Sequence, residues 1–204
     1  ENHMSMQVMA FSPTVYVICH PNATASDESG TSALACTPLS INTERKLVVG
    51  RSEYLDYVRM DYFFDMGLIS ANKGVVAFTD ERIGNGIRAV VLELISHDDR
   101  TYSLDFGSTV IINTGHASGP LPSGLWTYIN LEVLRENMFV VVYTDLSNDG
   151  RVSCIIAEMN EASTLMLTTP EFVVSLKNPN LNNYYWTDVS IVSPSMFFIV
   201  DSAT

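Results

Sequence analysis

The sequence predicts an all-β protein built from antiparallel sheets. Short runs of β-branched and aromatic residues alternate with Asn, Asp, Gly and Pro, a composition typical of strands and turns. Helix-forming composition is confined to 157–167, whose threonine-rich end disfavours a helix. In addition, one type of segment recurs along the chain, which predicts that the same sheet is built several times.

The recurring segment is an apolar residue, a three-residue polar turn and a β-rich run. Its copies begin at Phe11, Ile69, Leu134 and Val192, so they are 58 to 65 residues apart. The second and third copies also share their continuation, Val-Ala-Phe-Thr-Asp at 76–80 and Val-Val-Tyr-Thr-Asp at 141–145. This shared stretch is the strongest repeat signal in the chain.

Turn residues divide each full copy into four strands. In the third copy they are expected at 127–133, 138–144, 151–159 and 171–176. Four antiparallel strands in tandem copies resemble the blade of a β-propeller. The resemblance covers nearly the whole chain but is one of architecture, since the signature motifs of known propeller families are missing. A single β-sandwich is the alternative fold.

The repeat predicts how the chain is divided. Residues 1–4 are an extension or tag, 5–61, 62–125 and 126–183 are three blades, and 184–204 hold the first two strands of a fourth. Half a blade exposes an unpaired strand edge and an apolar face. We therefore expect another chain or the rest of a longer polypeptide to complete the propeller, and no isolated monomer.

Composition excludes several partner classes. Eleven Lys and Arg stand against 23 Asp and Glu, a net charge of −12, and such an acidic field repels phosphate backbones and anionic lipids. The longest apolar runs, 138–143 and 196–200, are far shorter than the ~20 residues of a membrane-spanning helix. Neither nucleic acid nor a membrane span is expected.

The cysteines and one sequon point to a secreted or extracellular protein. Cys19 and Cys36 lie on neighbouring predicted strands and are expected to form a disulfide, which leaves Cys154 as a buried free thiol. Asn22 begins the N-x-S/T sequon Asn-Ala-Thr, a candidate glycosylation site in a polar loop.

Aromatic residues form the candidate ligand-binding set. They gather where loops enter the first strand of a blade, and with a loop histidine the set is Trp126, Tyr128, Tyr184, Tyr185, Trp186 and His116. Exposed rings stack on sugars. The competing interpretation is that they fill the sheet, since neighbours along a strand point to opposite faces.

A weaker candidate is a calcium loop. Asp145, Ser147 and Asp149 place oxygen atoms at alternate positions before Gly150, the spacing that a calcium loop needs. Asp and Asn also cap plain hairpin turns, which is the competing interpretation. No other cofactor is expected.

The sequence assigns no catalytic residue, because its four histidines are isolated from one another and form no HExxH motif. The first hypothesis for its function is therefore a non-enzymatic module for recognition, adhesion or structural assembly. The alternatives are a lectin-like carbohydrate-binding propeller, and a glycan-active enzyme whose site is completed outside this chain.

Overall fold

The computed structural model describes residues 6–22, 32–84, 86–97, 101–114, 129–148, 151–174 and 187–201. These residues form an all-β structure of antiparallel sheets, which confirms the predicted fold class at that level. Two short 3₁₀ turns, Glu81–Ile83 and Leu146–Asn148, interrupt the strands. Within the described ranges no helix has the length and apolar character needed to cross a membrane.

The strands fall into four layers, each made of strands that are consecutive in the chain. Layer 1 contains β1 (Gln7–Ser12), β2 (Val15–Asn22), β3 (Ser32–Ile41), β4 (Leu47–Val49) and the first half of β5 (Glu53–Ser70). Layer 2 contains the second half of β5, β6 (Lys73–Asp80), β7 (Gly86–Ser96) and β8 (Tyr102–Asn113). Layer 3 contains β9 (Ile129–Arg135), β10 (Met138–Asp145), β11 (Arg151–Met159), β12 (Leu165–Leu167) and β13 (Phe172–Val173). Layer 4 contains β14 (Thr187–Ser193) and β15 (Met196–Asp201).

Strand β5 joins layers 1 and 2 into one hydrogen-bonded sheet. Its beginning pairs with β3, as in Leu55 with Leu34, and its end pairs with β6, as in Phe64 with Phe78. The boundary expected between residues 61 and 62 therefore falls inside a continuous strand. The strand expected to close layer 1 is reduced to the three residues of β4.

Apolar side chains pack the layers face to face. Both halves of the first sheet contribute to one buried cluster, so that sheet folds over on itself at β5. A second cluster joins layers 2 and 3, and a third joins layers 3 and 4. Representative members are Val17, Cys19, Val76 and Phe78 in the first cluster, Val75, Ala77, Phe139 and Val141 in the second, and Val140, Val142, Val189 and Phe197 in the third.

The two faces of each layer can therefore be named by direction along the chain. The rear face is the one directed toward lower-numbered layers, and the forward face is the one directed toward higher-numbered layers. In β6 the rear face carries Val76 and Phe78 and the forward face carries Val75 and Ala77. Residues 65 positions later in β10 have the same orientation, with Val141 and Tyr143 on the rear face. Alternation of side chains along a strand explains how one apolar run serves two interfaces.

The turn after the third strand has the same construction in two layers. Asn42 Oδ1 accepts the backbone N–H of Lys46, and Asn160 Oδ1 accepts that of Thr164, both at 2.9 Å. Arg45 and Ser163, each one residue before the end of its turn, have φ near +60°. The turn at Asn160 and the short strand β12 occupy the segment whose composition alone favoured a helix.

The structure contains a disulfide between Cys19 and Cys36, the pair expected from the sequence. The two residues face each other across β2 and β3, with a Cα–Cα distance of 4.1 Å. Cys154 is a free and buried cysteine on β11, and burial raises the pKa of its thiol.

Candidate functional site

The candidate ligand-binding residues from the sequence lie outside the described residues. This applies to Trp126, Tyr128, Tyr184, Tyr185, Trp186 and His116. The sequon residue Asn22 is the last residue of β2, where it is half-buried and pairs with Ala33. The loop that follows it, 23–31, is outside the described ranges, so the glycosylation site stays a prediction.

In the calcium candidate, Asp145 serves a local turn. It is buried, and its Oδ1 accepts the backbone N–H of Ser147 at 2.9 Å and the Ser147 hydroxyl at 2.5 Å. Asp149 is outside the described residues. Among those that are described, no group of three or more His, Cys, Asp or Glu has the arrangement of a metal site. The Asp145 geometry matches the capped-turn interpretation of this loop.

Layer 2 contains the counterpart of this turn, at Asp80. The fully buried carboxylate accepts the backbone N–H of Arg82 through Oδ1 at 2.9 Å and the Arg88 Nε–H through Oδ2 at 2.8 Å. The Arg88 side chain is itself only 18% exposed. Since a buried charge is tolerated only when it is paired and hydrogen-bonded, this pair fixes the end of β6 against β7.

A group of carboxylates lies along the first strands of three successive layers. Asp65 on β5, Glu132 on β9 and Asp188 on β14 are near enough for their charges to influence one another. Asp65 Oδ1 accepts the N–H of Met66 at 2.9 Å, and its Oδ2 accepts the N–H of Leu131 at 2.8 Å. The second bond crosses from layer 2 to layer 3, so Asp65 connects the first strands of two layers.

Burial and like charge change how these carboxylates titrate. Burial raises the pKa of Asp65 from 3.8 to about 6, against the opposing effect of the two N–H donors. Burial, followed by the charge of Asp188, also raises the pKa of Glu132. Asp65 therefore titrates between pH 5 and 7, and its protonation affects the contact between two layers.

Sequence reasoning did not identify these carboxylates, although the repeat contains a signal for two of them, Asp65 and Asp188. Asp65, Asn130 and Asp188 occupy equivalent positions at the same spacing as the recurring segment. All three positions carry a polar side chain on the first strand of a copy. Comparing equivalent positions of the aligned copies, in addition to their turns, would have identified a polar position on the first strand of each copy.

A groove lies beside the turn after β3, next to the start of β8. It has a volume of about 530 Å³, and its lining combines aliphatic side chains, hydroxyl groups and one aromatic ring. The aliphatic residues are Val15, Ile41 and Val48, and the others include Thr14, Ser40, Thr43, Thr101 and Tyr102. Asn42 also lines it but uses its Oδ1 to cap the adjacent turn. An aromatic ring among hydroxyl groups is the chemistry of a small carbohydrate site.

No protein-family model matches this sequence, and no curated protein is similar to it. The geometry of the layers, the carboxylates and the groove is therefore the basis for a functional assignment.

Proposed function

We propose that this chain is a segment of a β-propeller that serves recognition, adhesion or structural assembly outside the cell. The observation that carries the proposal is the uniform order of the layers. Each layer packs its rear face on the forward face of the layer before it, and the first strands of layers 2, 3 and 4 adjoin. Radial repetition of four-stranded sheets around an axis is the propeller arrangement.

Contacts at the first strands and at the turns support a repeated blade. The bond from Leu131 N–H to Asp65 joins two first strands directly. In three layers a backbone N–H at the end of the third strand also donates to a carbonyl of the first turn. These bonds are Ile41 to Thr14, Leu94 to Asn72 and Met159 to Asn137, at 2.7–2.8 Å. Equivalent bonds at equivalent positions are expected of copies of one blade.

The disulfide supports the extracellular part of the proposal. Disulfides persist in oxidising compartments and are rare in the reducing cytosol. The bond joins the forward-facing positions of β2 and β3, which lie in the cluster between layers 1 and 2. It therefore stabilises the sheet within the layered core, a structural role that does not require catalytic exchange.

An experimental structure of the assembled protein tests the scaffold. Sheets arranged radially, with β5, β9 and β14 nearest a common axis, would support the proposal. Two sheets closed over a single core, with β14 and β15 inserted into one of them, would contradict it and favour a sandwich. Peptide mapping of protein secreted from a eukaryotic host tests the compartment, since Cys19 and Cys36 should be resistant to alkylation without a reductant.

The groove beside Tyr102 supports carbohydrate binding as a second candidate function. A glycan array probed with the wild-type chain and with Tyr102→Ala tests it. Tyr54→Ala is the control, because Tyr54 is exposed and does not line the groove, whereas Tyr102 is half-buried and packs against the core. The folded state of both variants is checked by circular dichroism. Binding that Tyr102→Ala abolishes and Tyr54→Ala preserves would favour the lectin function. Wild-type binding that both variants preserve would place the sugar elsewhere.

A further inference from the structure

The groove beside the turn after β3 is electrically neutral in an acidic protein. The chain contains 11 Lys and Arg against 23 Asp and Glu, yet every described residue that lines the groove is uncharged. In the adjacent turn, Glu44 and Lys46 pair with each other at 2.8 Å. A carboxylate, sulfate or ammonium group in the groove would therefore lose water without gaining a counter-charge, so the groove favours a neutral ligand.

The equivalent place in layer 3 shows that neutrality is particular to this groove. Asn160 caps the turn after the third strand of layer 3 as Asn42 does in layer 1. The pocket beside Asn160 has a volume of about 300 Å³, and its lining includes Lys73, Glu136 and Glu161. The same position in the scaffold thus carries charged groups in one layer and none among the described lining residues in the other.

The floor of the groove is a row of three side chains across β2, β3 and β4. Ser40 pairs with Val15 on one side and with Val48 on the other. Residues paired across neighbouring strands point to the same face, and Val15 belongs to the cluster between layers 1 and 2, so this is the forward face of layer 1. Val15 and Ser40 are only 6% and 7% exposed, which fixes the row in place.

This row combines two kinds of contact within the reach of one small substituent. Val15 and Val48 offer apolar surface on either side of the Ser40 hydroxyl, which can both donate and accept a hydrogen bond. Thr101 and Tyr102 of layer 2 line the same groove. An acetamido group has the matching composition, because it carries a methyl group beside an amide N–H and a carbonyl oxygen. A hexose hydroxyl at the same place would leave the valine methyl groups without an apolar partner.

We propose that this groove binds a neutral N-acetylated sugar, with the acetamido group on the row formed by Val15, Ser40 and Val48. The ligand class rests on the carbohydrate-binding function given above as the second candidate. The volume of about 530 Å³ lies within the range of roughly 300–1,000 Å³ that is usual for small-molecule sites.

An NMR titration of the ¹⁵N-labelled chain with matched monosaccharides tests the ligand class. N-acetylglucosamine and N-acetylgalactosamine are compared with glucose and galactose, which differ from them at one position of the ring. Glucosamine and glucuronic acid add a positive and a negative charge. At least one N-acetylated sugar should shift the amide signals of Ser40, Val48 and Thr101 and bind at least about fourfold more tightly than its parent hexose, as expected for one buried methyl group. The charged sugars should bind no more tightly than glucose.

Val48→Thr tests the placement of the acetamido group. Threonine has nearly the shape of valine but replaces one methyl group by a hydroxyl group, so this variant should lose the preference for the N-acetylated sugar and keep the affinity for the parent hexose. Val173→Thr is the matched control, because Val173 is 46% exposed on layer 3 and does not line the groove. It should keep the preference, and circular dichroism checks that both variants are folded.

Four results would overturn the inference. Equal affinity for the N-acetylated sugars and their parent hexoses at the groove would remove the acetamido preference but leave the carbohydrate-binding function in place. Tighter binding of glucosamine or glucuronic acid would contradict the neutral site. An unchanged preference in Val48→Thr would contradict the placement on the row. If none of the six sugars shifts signals of the groove, the N-acetylated ligand is excluded, and the glycan array decides the broader function independently.

Discussion

Gly67 lies where the first strand of layer 2 meets the first strand of layer 3. A Cβ atom at this position would be 2.7 Å from Val133 Cγ2 and 2.9 Å from Leu131 Cδ2, shorter than any ordinary carbon contact. Overpacking of this kind costs about 1–3 kcal/mol. Replacing a strand glycine by alanine also stabilises by about 0.4–1 kcal/mol through the unfolded chain. Gly67→Ala should therefore lower the free energy of unfolding by about 1–2 kcal/mol.

Equilibrium unfolding in urea, measured by tryptophan fluorescence and circular dichroism, is the assay. Gly107→Ala is the matched control, because the nearest atom to its added Cβ is Val91 Cβ at 3.4 Å, an ordinary contact. That variant should be neutral or slightly stabilising. In a Val133→Ala background the cost of Gly67→Ala should fall by at least about 0.5 kcal/mol, since the nearer of the two clashing methyl groups is gone.

Equal effects of Gly67→Ala and Gly107→Ala would refute the close approach of the two first strands. An unchanged cost of Gly67→Ala in the Val133→Ala background would refute the specific contact between β5 and β9.

Three further predictions concern charge and the disulfide. Because the pKa of Asp65 is raised to about 6, its folded state binds the proton more tightly than the unfolded state. The free energy of unfolding should thus rise by about 2 kcal/mol as pH falls from 7 to 4, and Asp65→Asn should remove that part of the slope in unfolding measured at several pH values. Asp80→Ala should destabilise by about 3 kcal/mol in the same assay, because it leaves the Arg88 charge unpaired in a mostly buried site; an effect below about 1 kcal/mol would contradict the pairing. Reduction of Cys19–Cys36, followed by alkylation, should cost about 3 kcal/mol by opening a loop with a sequence separation of 17 residues, and an unchanged unfolding midpoint would contradict that contribution.

The strands of layer 3 show how far sequence reasoning reaches. Strands β10 and β11 were predicted to within one residue, because turn residues flank continuous β-branched runs there. The fourth strand was expected at 171–176. The structure instead has two short strands, β12 and the two-residue β13, and both pair with β11. Local composition indicates extended backbone in such short edge segments but does not specify which part of the neighbouring strand they pair with.

The long strand β5 is a second limit. The repeat predicted a boundary between two blades at residues 61 and 62, which lie inside this strand. The break occurs earlier, between β4 and β5, and the chain then continues as one strand through two layers. Pairing with β3 at one end and β6 at the other stabilises this strand, and no single-sequence pattern reports pairing to two different partners.

Asp65 and Gly67 illustrate why the contacts between layers were not predictable residue by residue. Each acts through β9, which is more than 60 residues away in the sequence. The spacing of the copies implies that such contacts exist. Which backbone N–H donates to the carboxylate depends on the three-dimensional register between two layers.

The contact between Asp65 and Leu131 tests the central claim that consecutive layers adjoin at their first strands. An NMR pH titration of the ¹⁵N-labelled chain would follow the amide signal of Leu131, which donates to Asp65 Oδ2 at 2.8 Å. This signal should titrate with an apparent pKa of about 6, and the titration should disappear in Asp65→Asn. A Leu131 amide that is insensitive to pH in this range, or that titrates equally in Asp65→Asn, would contradict the layered arrangement.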